Sequence, residues 1–208
     1  MFSKWGRIGC HQGVLKSIIR NKDPQSNLLR RHIHRNGIRS IIQAVAGLTA
    51  DARQVVAFAR KECKSHRELY GSIIGVDDLA HRVSLMIHSH TTHSIFRPFG
   101  CSVLLASYQQ SRPMLYCVDA SGSCNAYHAC SIGRDKVKVD SLLEKVERKT
   151  TLMDRGVVTA AEILYQVIDE PKPKNVEFEL SFAGEYTLNK HEKVPQVLHD
   201  RAVREALK

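Results

Sequence analysis

Three histidines, His88-Ser-His90-Thr-Thr-His93, are the residues best suited by type and spacing to metal chemistry. They nearly spell the H-x-H-x-D-H pattern in which imidazoles and a carboxylate gather zinc in a loop after a strand. Thr92 stands where the carboxylate belongs. The segment also continues an amphipathic helical stripe. On a helix His90 and His93 share a face, while His88 lies about 160° from His90. That geometry spreads the ligands, so helix-surface and partly buried histidines are the plainer reading. A metal-dependent hydrolase built on His88, His90 and His93 is the alternative function to be tested.

Asp119, Ser121 and Gly122 could suggest a catalytic carboxylate and hydroxyl. A hairpin explains them more simply: Asp and Ser satisfy nearby backbone, and Gly supplies a positive φ. Arg97-Pro98-Phe99-Gly100 also reads as structural. Proline ends a helix, Phe99 fills a core pocket, and Gly100 allows a tight approach to the strand that follows. No cofactor motif is present, so none is expected.

These residues need elements to hold them. CSVLLASY (101–108) is an apolar run suited to burial on both faces; MLYCVD (114–119) and NAYHACSI (125–132) read as two further strands. AVAGL (44–48) is a short strand before Thr49, a plausible N-cap, with Asp51 in the favourable first turn. Val55, Phe58, Ala59, Cys63, His66 and Tyr70 then recur at helical steps up to Gly71. Leu79, Val83, Met86, Ile87 and His90 mark a second helix that must end before Pro98. Val139, Leu142, Leu143 and Val146 mark a third. Thr151 and Asp154 resemble a capping box ahead of Val157, Ala161, Leu164 and Ile168 on a fourth, stopped by Pro171 and Pro173. VEFELSF (176–182) alternates as a strand with Val176, Phe178, Leu180 and Phe182 inward and one wet face. Pro195 opens a last helix running to Lys208.

The 208-residue chain carries a net charge of +10, with 31 Lys and Arg against 21 Asp and Glu. Residues 1–43 hold nine of those bases and a single acid, Asp23, so the basic balance belongs to the N-terminal fifth. That segment has only two short apolar patches, Val14-Leu15 and Ile18-Ile19, and a run near Ile38, Ile41 and Ile42. A transit peptide or a nucleic-acid arm around RRHIHR would share its charge. The former is usually richer in Ser, and the latter would want more aromatics than Trp5. A basic, poorly ordered extension over 1–43, followed by one domain over 44–208, is the expected organisation. The six cysteines form no C-x-x-C pair, which suits a reduced intracellular protein. No apolar run approaches the roughly 18 residues of a membrane helix.

RPFG leading into an apolar strand, then Pro113-x-Leu115-Tyr116-x-x-Asp119-x-Ser121-Gly122, then a strand ending Ile132-Gly133, resembles the 20S proteasome alpha-type subunits. Among these the likeness is nearest to the subfamily at position seven of the ring. The resemblance covers Ala44–Lys208, with an echo at Arg31-His32-Ile33. It implies an α+β fold, a four-layer αββα sandwich of the N-terminal nucleophile hydrolase type. It also implies a non-catalytic structural subunit contributing to ubiquitin-dependent protein degradation in cytoplasm and nucleus. The partners implied are other alpha and beta subunits and regulatory particles, with no nucleic acid and no membrane. Alpha subunits carry about seventy residues ahead of the point matched by AVAGL, including a YD-x-x-x-x-x-FSP-x-G-x-x-x-QVEYA signature absent here. The expectation is therefore a fold lacking its first strands and N-terminal helix, and joining a ring poorly. Beta subunits on this fold use a Thr freed as residue one, with a lysine and an aspartate. Only Gly9-Cys10 offers a comparable processing point, and no lysine lies between Lys22 and Lys61. The expected catalytic, metal and cofactor sites are none. The structural motif is Arg97, Pro98, Phe99, Gly100, Asp119, Ser121, Gly122 and Gly133.

Overall fold

The computed structural model describes residues 4–10, 13–21, 41–146, 153–167 and 176–206. In chain order its elements begin with β1 (Lys4–Cys10), β2 (Gly13–Asn21), β3 (Ile41–Gly47), α1 (Thr49–Tyr70) and α2 (Val76–Thr92). The central strands are β4 (Cys101–Gln109), β5 (Arg112–Val118), β6 (Cys124–Ala126) and β7 (Ala129–Ile132). Then come α3 (Lys136–Leu143), α4 (Met153–Gln166), β8 (Val176–Gly184), β9 (His191–Lys193) and α5 (Gln196–Ala206).

The strands form two antiparallel sheets, ordered β3-β4-β5-β6 and β7-β1-β2-β8-β9. Strand periodicity explains how four layers assemble on them. Along β4, Val103 and Leu105 pack with Val55, Leu79 and Ile87 of α1 and α2. Leu104 and Ala106 point the other way, into a layer shared with Cys130 and Ile132 of β7 and Ala183 of β8. The outer face of the second sheet gives Leu180 to a cluster with Val139 and Leu143 of α3, Val157, Ala161 and Leu164 of α4, and Ala202 of α5. The αββα sandwich is thus present, and β4 is buried on both faces as its sequence predicts.

The first strands are present too, which corrects the expectation that they are lacking. Residues 1–43 contribute β1 and β2, and these lie in the middle of their sheet. β1 pairs with β2 from Lys4↔Ile19 to Cys10↔Gly13 and with β7 from Trp5↔Ile132 to Ile8↔Ala129. β2 pairs with β8 from Gly13↔Gly184 to Asn21↔Val176. Residues 4–10 and 13–21 are therefore part of the sandwich. Their bases hid them: Arg7, Lys16 and Arg20 interrupt the apolar runs by which inner strands are usually read. The N-terminal helix of that expectation falls outside the described residues.

Three smaller differences have physical causes. NAYHACSI is two strands, because the chain leaves one sheet after Ala126 and joins the other at Ala129. Thr49 is the first helical residue and Leu48 the N-cap, with no side-chain cap. In β8 the face expected to be wet is covered at its C-terminal end: Ser181 is buried and Ala183 meets the opposing sheet, while Leu180 and Phe182 face the helices. α1 ends as read, with Gly71 left-handed and its N–H bonded to Arg67 O. Thr151, Ile168, Pro171 and Pro173 lie outside the described residues.

Candidate functional site

Arg97, Pro98, Phe99 and Gly100 form one clasp. α1 starts immediately after β3, which places Asp51 in its first turn facing the chain that enters β4. Arg97 grips Asp51 bidentately, Nη2 donating to Oδ1 at 2.6 Å and Nη1 to Oδ2 at 2.7 Å. The Gly100 N–H donates to the same Oδ2 at 2.8 Å. Leu48 N–H in turn donates to Gly100 O at 2.9 Å. Beside it Gly47 has φ +135°, and a Cβ there would lie 2.1 Å from Gly100 O, so only glycine lets the two backbones meet. Pro98 is exposed, and its carbonyl accepts from Arg97 at 3.1 Å. Phe99 is buried, its ring 4.4 Å from that of His90. α2 already ends at Thr92, so RPFG does not stop it as expected; it ties α1, α2 and β4 together around one carboxylate.

Asp51 is only 2% exposed, so its charge needs these partners. The Arg97 hydrogen bonds hold its carboxyl below the ordinary value against the opposing effect of burial, with the Gly100 amide adding to them. The neighbouring Cys101 thiol is pushed up to about 11, first by burial and then by the Asp51 charge. A fixed carboxylate beside a protonated thiol has neither a free base nor a nucleophile. The clasp positions backbone; it does not do chemistry.

The second motif cluster docks the β5–β6 turn on α2. Asp119 Oδ1 accepts from Ser121 N at 2.9 Å, Ser121 Oγ at 2.6 Å and Ser123 N at 3.0 Å. Burial raises the Asp119 carboxyl, but these bonds outweigh it and leave it lowered. Gly122 (φ +87°) lies so close to α2 that a Cβ would meet His88 N at 2.8 Å. Ser84 Oγ donates to Gly122 O at 2.5 Å, and His88 Nδ1 to Ser121 O at 3.3 Å. Gly133 stands apart, between β7 and α3, where Asp140 Oδ1 takes Ser131 N at 2.9 Å and Ser131 Oγ at 2.7 Å.

The histidines do not converge. His90 Nδ1 donates to Met86 O at 2.9 Å, and its ring sits against Phe96 and Phe99. His93 Nδ1 donates to Ser89 O at 2.8 Å. Among the described residues no three His, Cys, Asp or Glu are placed to hold a metal. The metal-hydrolase alternative is thus unsupported. Two residues were missed by sequence, Asp51 as the centre of the clasp and Asp140 as the anchor of Ser131. Asp51 left a signal, since it falls on the buried stripe of Ala52, Val55, Ala59 and Cys63, where a charge must find a partner. Asp140, mid-helix among lysines, left none.

Helix layers flanking two face-to-face antiparallel sheets, with a tied crossing from α2 into β4, define the N-terminal nucleophile hydrolase class of sandwich. Comparison with known proteins agrees. A family model for proteasome subunits matches residues 31–182. Proteasome subunit alpha type-3 of Arabidopsis thaliana is 35% identical over 200 residues, covering 94% of this chain and 79% of that protein. The Dictyostelium discoideum alpha type-3 subunit is 38% identical over 159 residues, covering 76% of this chain and 64% of its own length. A Methanocaldococcus jannaschii proteasome subunit alpha is 31% identical over 177 residues, 82% of this chain and 66% of that one. The chain belongs to the proteasome subunit family, and the relatives it resembles are alpha-type. A match over 94% of 208 residues also takes in most of residues 1–43.

Proposed function

We propose that this chain is a catalytically silent structural subunit of the 20S alpha ring, acting in ubiquitin-dependent protein degradation through ring assembly and regulator docking. Its partners are the other alpha and beta subunits and regulatory particles, not nucleic acid or membrane, in cytoplasm and nucleus. The observation that carries the reading is the five-stranded sheet: with β1 and β2 paired between β7 and β8, the described residues form both sheets of the sandwich, which supports an assembling subunit. Silence follows from the residue types available at the first strand. Catalysis in the beta manner needs a threonine there, and the earliest threonine in this chain is Thr49, at the start of α1. Among the described residues no helix is long and apolar enough to cross a membrane.

The test is co-expression of a tagged full-length chain, isolation of 20S particles through a beta subunit, and native mass spectrometry. One copy per alpha ring is the expected result. Exclusion from assembled particles would overturn the assignment. The purified chain should cleave no fluorogenic peptide of any P1 class. Turnover removed by substituting Cys10 would overturn the silent reading.

A further inference from the structure

Cys117 belongs to β5 in one sheet and Cys130 to β7 in the other, and both side chains point into the layer between the sheets. They are 7% and 5% exposed, among Leu104, Ala106, Leu115 and Ile132. They share one buried cluster, and Cys130 is the hydrogen-bonding neighbour that does most to lower the Cys117 thiol. They lie close to the place where the chain crosses between sheets, after Ala126.

We propose that Cys117 and Cys130 are a modification site: a peroxide closes them into a disulfide that joins the two sheets.

The other buried thiols show why this pair differs. Burial pushes Cys63 and Cys101 up to about 11, each with a neighbouring carboxylate adding to the effect. Cys117 is instead lowered, first by the Cys130 hydrogen bond against the effect of burial, and further by the Lys136 ammonium. The thiolate is the nucleophile in such chemistry. The Cys117 thiolate attacks one oxygen of hydrogen peroxide, the O–O bond breaks, and hydroxide leaves, taking up the proton that Cys117 released. Cys117 is then a sulfenic acid. The Cys130 sulfur attacks that sulfur, the S–O bond breaks, and the Cys130 proton leaves with the hydroxyl as water. Two thiols have lost two electrons and one peroxide has become two waters. Burial sets the oxidant class, because a water-sized peroxide can penetrate the layer where a tripeptide disulfide cannot.

The experiment treats the full-length chain with hydrogen peroxide, alkylates remaining thiols under denaturing conditions, and maps peptides by mass spectrometry. The expected product is a Cys117 peptide linked to a Cys130 peptide, released by dithiothreitol. The link should vanish in Cys130→Ser and persist in Cys124→Ser, whose thiol lies nearby on β6. Alkylated or over-oxidised Cys117 without a link in the wild-type chain would overturn the proposal, as would a Cys117–Cys124 link. Oxidised glutathione should give no link, and an equally fast link from it would overturn the sheltered-pair account.

Discussion

At the scale of single residues, the clasp rests on one buried carboxylate and three donors. Removing the acceptor by Asp51→Ala leaves the Gly100 amide unpaired and should cost about 1–3 kcal/mol, measured by chemical denaturation. Removing Arg97 acts differently, because the charge stays buried. The Asp51 carboxyl is lowered in the folded state, so it contributes stability that is present above its unfolded value near 3.9 and lost as pH falls through the folded one. In Arg97→Gln the carboxyl loses its main source of depression. Acid unfolding followed by circular dichroism should then begin at higher pH than in the wild type. An unchanged acid midpoint would show that Gly100 alone holds the carboxylate. This residue-level design was half legible. RPFG announced itself by type, but its acceptor lies 46 positions earlier on another element, and local spacing says nothing about pairs so far apart.

Elements were read well where one face is apolar and poorly where charge and pattern disagree. α1 and α2 follow directly from their stripes, and Gly71 stops the first where expected. The strand NAYHACSI looked continuous because a period-two pattern cannot say which sheet each half joins. β1 and β2 were the main miss, since their bases outweighed the branched residues Ile8, Val14, Ile18 and Ile19. Their place gives a sharp expectation. Amides paired on both sides of a strand exchange slowly, because freeing them requires opening the sheet. Hydrogen exchange should therefore protect residues 4–10 and 13–21 as strongly as β8, and trypsin should spare Arg7, Lys16 and Arg20 in the native chain. Rapid exchange through this hairpin would remove the basis for counting it as sandwich.

On the scale of the whole molecule, fold class was legible from the alternation of helical and strand blocks together with the central motifs, but sheet membership was not. Which strands share a sheet depends on where long connections land, and no local pattern records that. The two halves of the sandwich differ in this respect. The sheet β3-β4-β5-β6 and its covering α1 and α2 come from one unbroken stretch, Ile41 to Ala126. The sheet β7-β1-β2-β8-β9 takes strands from the beginning, the middle and the end of the chain.

That contrast has a consequence for synthesis on the ribosome. The contiguous half can pack as soon as Ala126 has emerged, because every partner it needs is already made. The hairpin made first must wait, since β2 pairs with β8 and residues 176–184 are translated near the end. Contacts so distant in sequence are slow to form, and unpaired edges are exposed meanwhile. The nascent chain thus carries its earliest strands unsatisfied through most of translation, an interval in which a chaperone has something to hold. Ribosome-stalled chains long enough for Ala126 to have left the exit tunnel should resist protease over 41–126 and be cut within 4–21, with protection of the hairpin arriving only once β8 has emerged as well.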